Sequence, residues 1–213
     1  MAVQVAVPST RRVSHRVAEC SYAADVSIDG HTTVDIPACV TAGAGVLANG
    51  VVLAAAGNVV PAVVQSDFIM GRYGRSVSVT STVGGAGVIV GYDYLGQALK
   101  ENVTLIVGAV VSKKMFKDVS YVYVPVAATV SVGVGVILGV PYKVLHTALY
   151  GELANDVTAT AGALLAGVVT QSLTSGDPRG AYTPNTAPNG TTAYRFTCVV
   201  DRSNLHGSAH VIV

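Results

Sequence analysis

Tryptophan is absent from this 213-residue chain, and aromatic residues make up only 6% of it. A core built from such a sequence must be filled by Val, Ala, Leu and Ile, through many small contacts in place of a few large ones. Charge is equally scarce: Asp, Glu, Lys and Arg are 12% of the residues, about half the share usual in globular proteins. A freestanding monomer ordinarily carries more, so a surface this poor in charge implies self-association or docking on a large partner, with a thermostable or secreted monomer of Thr/Ser-rich surface as the alternative. The charges that exist nearly cancel, to a net +1. No global field draws in nucleic acid, whose phosphates supply most of the affinity in such complexes. Lys113, Lys114 and Lys117, with Phe116 and Tyr121 nearby, are therefore read as solubilising a strand edge.

The patterns of a reactive site are missing too. Cys20, Cys39 and Cys198 are an odd set without CxxC spacing; they give neither a disulfide framework nor a zinc site and are read as free buried thiols, with a Cys20–Cys39 pair as the alternative. Gly43-Ala44-Gly45 and Gly85-Ala86-Gly87 lack the third glycine and the following helix of a dinucleotide site, and no Walker lysine occurs. No cofactor is expected. His206 and His210 stand four apart and could share a face, but no further ligands lie beside them, so no metal is expected and the two read as a surface pair. There is no G-x-S-x-G elbow and no Trp platform for sugar stacking, so an enzyme is not expected; a polysaccharide hydrolase would need two carboxylates to meet in space. The start, MAVQVAVPSTRR, lacks the basic stretch and long apolar run of a secretory signal.

What is present is a two-residue period. Val119 to Tyr142 carries no charge, yet Pro125 and Pro141 interrupt it, and Val130-Ser131-Val132-Gly133-Val134-Gly135-Val136 alternates. That is strand, not a membrane-spanning helix, which would want about twenty apolar residues and good helix formers. Short strands at roughly ten-residue spacing, bounded by Gly, Pro and Asn, are the mark of sandwiches and barrels. The expected fold is all-β: a β-sandwich or jelly-roll-like body with an extended N-terminal arm. Residues 1–25 are read as that arm, with Arg11, Arg12, His15 and Arg16 clustered in it. Residues 26–75 read as an N-terminal β-hairpin region, on the turn signals Asp29-Gly30, Asn49-Gly50 and Gly57-Asn58. Residues 76–213 read as the main body. There Ser76–Val83 and Val88–Tyr92 are expected to pair as a hairpin, Asn102–Val111 to form one strand, 146–155 a loop or single turn, and 172–192 a long polar loop. Further strands are expected around 163–171, 193–200 and 208–213. Asp177 and Arg179, with Pro178 between them, are expected to pin that loop by a salt-bridged turn.

Two segments add a resemblance. Gly91-Tyr92-Asp93-Tyr94-Leu95-Gly96-Gln97-Ala98-Leu99-Lys100-Glu101-Asn102, followed by Lys113-Lys114-Met115-Phe116-Lys117-Asp118-Val119, and the later run Thr174-Ser175-Gly176-Asp177-Pro178-Arg179-Gly180-Ala181-Tyr182-Thr183-Pro184 resemble motifs of virion structural proteins of tailed bacteriophages. With Leu138-Gly139-Val140-Pro141-Tyr142 between them, the likeness covers roughly residues 74 to 213. It implies a decoration or cement protein on the capsid surface, made in the host bacterial cytoplasm, with the major capsid protein as partner and no catalytic residues. A head-fibre or tail component binding host surface glycans is the competing assignment. A homo-oligomer, guessed as a trimer, would suit the threefold sites of a capsid. Arg11, Arg12 and Arg16 would then be arm contacts to acidic capsid surface, and no contact with nucleic acid or membrane is expected.

Overall fold

The computed structural model describes residues 31–43 and 45–211. The arm, with Arg11, Arg12 and Arg16, lies outside the described residues, as do Cys20 and the Asp29-Gly30 turn. Strand takes up 49% of the described residues and helix 2%, and every ladder between these strands is antiparallel, an all-β, sandwich-like fold. Three sheets form. Sheet A has the order β1 (His31–Ile36), β14 (Tyr194–Val199), β10 (Tyr150–Ala154), β11 (Val157–Thr158). Sheet B runs β12 (Ala163–Ala166), β13 (Gly180–Thr183), β9 (Ala128–Gly139), β4 (Arg75–Ser81), β7 (Gly108–Val111), with β2 (Val46–Leu53) also paired to β9. Sheet C runs β3 (Gly57–Val59), β8 (Asp118–Val124), β5 (Gly85–Tyr92), β6 (Ala98–Leu105). The one helix among the described residues is a single turn, α1 (Asp67–Met70).

Sheets B and C close over a core of small aliphatic side chains. Val77 and Val79 of β4 and Val130, Val132 and Val134 of β9 meet Ile89 of β5, Leu99 and Leu105 of β6 and Val122 of β8. Alternation explains the assignment, because each strand sends every second residue inward. A second core lies between sheet A and the other end of sheet B. Here Val34, Ile36, Phe196 and Cys198 pack on Leu138, Leu164 and Tyr182. Tyr182, Tyr194 and Phe196 are buried together in this second core, with the Tyr182 and Phe196 rings 4.4 Å apart. The twelve-residue β9 serves both cores, and Arg75 marks the changeover. Opposite it the ladder is irregular: Arg75 faces Leu138 while Val77 faces Val134, so four residues of β9 answer two of β4.

Several expected pairings are not formed, for one shared reason. Ser76–Val83 and Val88–Tyr92 are strands but not a hairpin: β4 joins sheet B and β5 joins sheet C. The segment from Asn102 to Val111 breaks at Ile106-Val107 and changes sheet, giving β6 and β7. Between β2 and β9 only β5 and β6 are consecutive neighbours in one sheet; every other connection there crosses from one layer to the other. Asn49-Gly50 is not a hairpin turn but a bulge inside β2, where the register to β9 shifts between Ala48 and Val51. Gly50, at φ 59°, supplies the left-handed conformation, and its N–H donates to Ser131 Oγ at 2.9 Å. Gly57-Asn58 lies within β3, paired to β8. Residues 31–75 therefore belong to all three sheets: β1 pairs with β14, β2 with β9 and β3 with β8. Within 146–155 a strand, β10, forms, and within 172–192 another, β13, while residues 208–211 carry none.

Candidate functional site: a buried ionic network

The residues of the two quoted motifs, some 80 positions apart, converge on one place. Asp93 follows β5 and opens the turn to β6; its Oδ1 accepts the N–H groups of Leu95 at 2.9 Å and Gln97 at 2.8 Å. Its Oδ2 accepts from Arg179 Nη1 at 2.8 Å. Arg179 Nη2 is 3.5 Å from Asp177 Oδ1, and the Arg179 N–H donates to that same oxygen at 2.9 Å. The guanidinium also lies 4.9 Å over the Tyr94 ring, a cation–π contact. Tyr94 donates its hydroxyl proton to the Pro141 carbonyl.

From Asp177 the network passes to the segment after β7. Its Oδ2 accepts the Met115 N–H at 3.1 Å. The preceding two amides, Lys113 at 2.8 Å and Lys114 at 2.9 Å, donate to the two oxygens of Glu101. Three successive N–H groups are thus held by two buried carboxylates, which fixes the loop between the Ser112 and Phe116 contacts to β4, a stretch that no regular ladder could satisfy. Asp93, Glu101, Lys114, Asp177 and Arg179 are each at most 3% exposed.

Burial and pairing pull these groups in different directions. For Asp93 burial alone would raise the pKa, but His210, Arg179 and the Gln97 amide outweigh it and hold the carboxyl at about 2. For Glu101 burial wins over the two amides and pushes it up to about 7. Burial also lowers Lys114, against the opposing fields of Glu101 and Asp177. The Lys114 ammonium nitrogen makes no hydrogen bond among the described residues.

Asp177 and Arg179, expected to pin a loop together, are brought into contact, but the shorter link from Arg179 runs to Asp93. The sequence reading missed Asp93 and Glu101 as partners; the only signal was that both stood in the quoted motif. Lys114 is not an edge solubiliser, since it is 0% exposed, and Lys117 is tied to Asp67 Oδ1 and the Gly71 carbonyl, both at 2.6 Å. His210 is not half of a surface pair: it is buried, with Nε2 3.4 Å from Asp93 Oδ2, while His206 is exposed beside Tyr142. Cys39 and Cys198 are buried free thiols raised above the ordinary range by desolvation, Cys198 to about 12. Among the described residues no group of three or more His, Cys, Asp or Glu could hold a metal ion, and no helix is long and apolar enough to cross a membrane.

Chemically, this arrangement fixes backbone. Asp93, Glu101 and Asp177 each have both carboxylate oxygens committed to N–H donors or a guanidinium. No family model, curated protein or solved structure matches this chain.

Proposed function

We propose that this protein is a structural component of a tailed-phage particle, a decoration or cement protein that binds the outside of the capsid and stabilises it. The observation that carries the reading is where charge and apolar surface lie. Arg75, Asp93, Glu101, Lys114, Lys143, Glu152, Asp177 and Arg179 are buried, while Val52, Val64, Val107 and Val169 are 70% exposed or more. A chain with few charges that places many of them inside leaves an exterior suited to being covered. The buried ionic network adds to this, because a shell component gains from loops that are locked before it binds. Attachment at many equivalent sites then needs no single deep pocket. The basic arm residues Arg11, Arg12 and Arg16 supply the contact to acidic capsid surface, with the major capsid protein as partner.

The test is electron microscopy of purified particles labelled with antibody against this chain. Label distributed over the capsid exterior is the expected result. Label confined to tail or fibres would favour the glycan-binding assignment, and particles without label would overturn the reading.

A further inference from the structure

Asn-Gly occurs twice in this chain, as Asn49-Gly50 and as Asn189-Gly190, and both asparagines are exposed. The dipeptide is chemically fragile, because a glycine without Cβ lets its backbone nitrogen approach the carboxamide carbon of the side chain before it. Sequence and exposure do not separate the two pairs. Their hydrogen bonds do.

Asn49 and Gly50 are the extra residues of the bulge in β2. Ala48 faces Val132 and Val51 faces Val130, so the two stand opposite one residue of β9, Ser131, and the Gly50 amide goes to a side chain in place of a ladder carbonyl. Ser131 Oγ accepts the Gly50 N–H at 2.9 Å and donates its own proton to Asn49 Oδ1 at 3.2 Å. One hydroxyl therefore touches both the nitrogen that would attack and the oxygen that would gain charge.

We propose that Asn49 is a self-modification site, at which the Ser131 hydroxyl promotes closure of a cyclic imide between Asn49 and Gly50 and so the conversion of Asn49 to aspartate and isoaspartate. The Gly50 nitrogen bonds to Asn49 Cγ while its proton passes to Ser131 Oγ and the Ser131 proton passes to Oδ1. The new hydroxyl on Cγ then gives its proton to Nδ2, the Cγ–Nδ2 bond breaks, and ammonia leaves. Water adds to either carbonyl of the imide and opens the ring. The sum is one water consumed and one ammonia released, with no change of oxidation state. The product sets a carboxylate in a surface hollow lined by Val46, Ser78, Thr80 and Ser131, among others, and isoaspartate also lengthens the bulge by one backbone carbon.

Asn189 is held against the same reaction. Its Oδ1 accepts the N–H groups of Thr191 at 2.9 Å and Thr192 at 2.8 Å and the Thr191 hydroxyl at 3.1 Å, bonds that must be given up before the carboxamide can turn onto the glycine nitrogen. The Gly190 N–H donates to the Cys39 carbonyl at 2.9 Å, an acceptor with no proton to pass on.

The experiment keeps the folded full chain in mildly alkaline buffer, then uses pepsin digestion at low pH and fragment mass spectrometry to read, at each asparagine, the mass gain of an amide turned into an acid. Asn49 should convert at least about tenfold faster than Asn189, since only the first pair has its reacting groups positioned. In urea, where sequence alone acts, the two rates should be comparable. Ser131→Ala, shown to be folded by circular dichroism, should slow Asn49 by about tenfold, a modest effect because a hydroxyl is a weak base, and should leave Asn189 as it was. Ser131→Thr, which keeps the hydroxyl, should preserve the fast conversion. Asn49 converting no faster than Asn189, or faster by the same ratio in urea, or at an unchanged or higher rate in folded Ser131→Ala, would overturn the inference.

Discussion

Arg179 links two carboxylates that come from distant parts of the chain, and removing it would leave Asp93 charged and buried without its cation. We expect Arg179→Met to cost about 3–5 kcal/mol in urea unfolding, the range for breaking a buried pair by deleting one partner. Asp93→Asn combined with Arg179→Met should cost less than the two single losses together, because the partners act as a unit. Glu101 gives a pH dependence of opposite sense to the usual carboxylate. Its folded value of about 7 stands above the ordinary 4.5, so its stabilising contribution is fully present below about pH 4.5 and is lost as pH rises through about 7. The span corresponds to ~3 kcal/mol. Asp93 works the other way, contributing above about pH 3.8 and losing that contribution as pH falls toward about 2. Melting temperature should therefore fall between pH 5 and pH 8, and Glu101→Gln should flatten that fall. A wild-type melting curve independent of pH over this range would contradict the assignment. None of this was legible from residue spacing, since a carboxylate's partner is decided by which loops meet.

At the scale of elements, alternation named many of the strands, missing β10 and β13, but not their neighbours. The period-two run at Ser76–Ser81 and the core-facing Ile89 of the next strand were both readable, whereas their separation into two layers depends on the corner at Gly84-Gly85 and on what waits across the core. Gly91 illustrates how narrow the fit is. It lies where the β5 to β8 register shifts between Val90 and Gly91, and a Cβ there would run into the Asp118 carbonyl. Gly91→Ala should destabilise the fold by about 3 kcal/mol, as overpacking against unyielding backbone does, measured by chemical denaturation. The Asn49-Gly50 pair teaches a related lesson. The dipeptide demands positive φ, and a bulge satisfies that demand as well as a hairpin turn does.

At the scale of the whole molecule, residues 31–75 are woven into the sheets of the later chain: β1 lies beside β14 in sheet A, and β2 lies on β9. All the described strands, β1 to β14, are formed by residues 31–199. A protein lacking residues 1–25 should keep its circular dichroism spectrum and its melting transition, while capsid attachment is abolished in a pull-down with purified particles. Normal attachment of the truncated chain would remove the arm, with Arg11, Arg12 and Arg16, from the proposed contact.

The sequence by itself determined the class: valine alternation, scarce charge and frequent Gly and Pro corners permit little besides packed antiparallel sheets with an exterior short of charge. The division into three sheets, the sharing of β9 by two cores, and the meeting of Asp93, Glu101, Lys114, Asp177 and Arg179 were decided only in the tertiary structure. The reason is physical. Periodicity is a local property that tells a strand which side is inward, while strand partners and ion pairs are contacts across tens of residues, chosen by how the layers close as a whole.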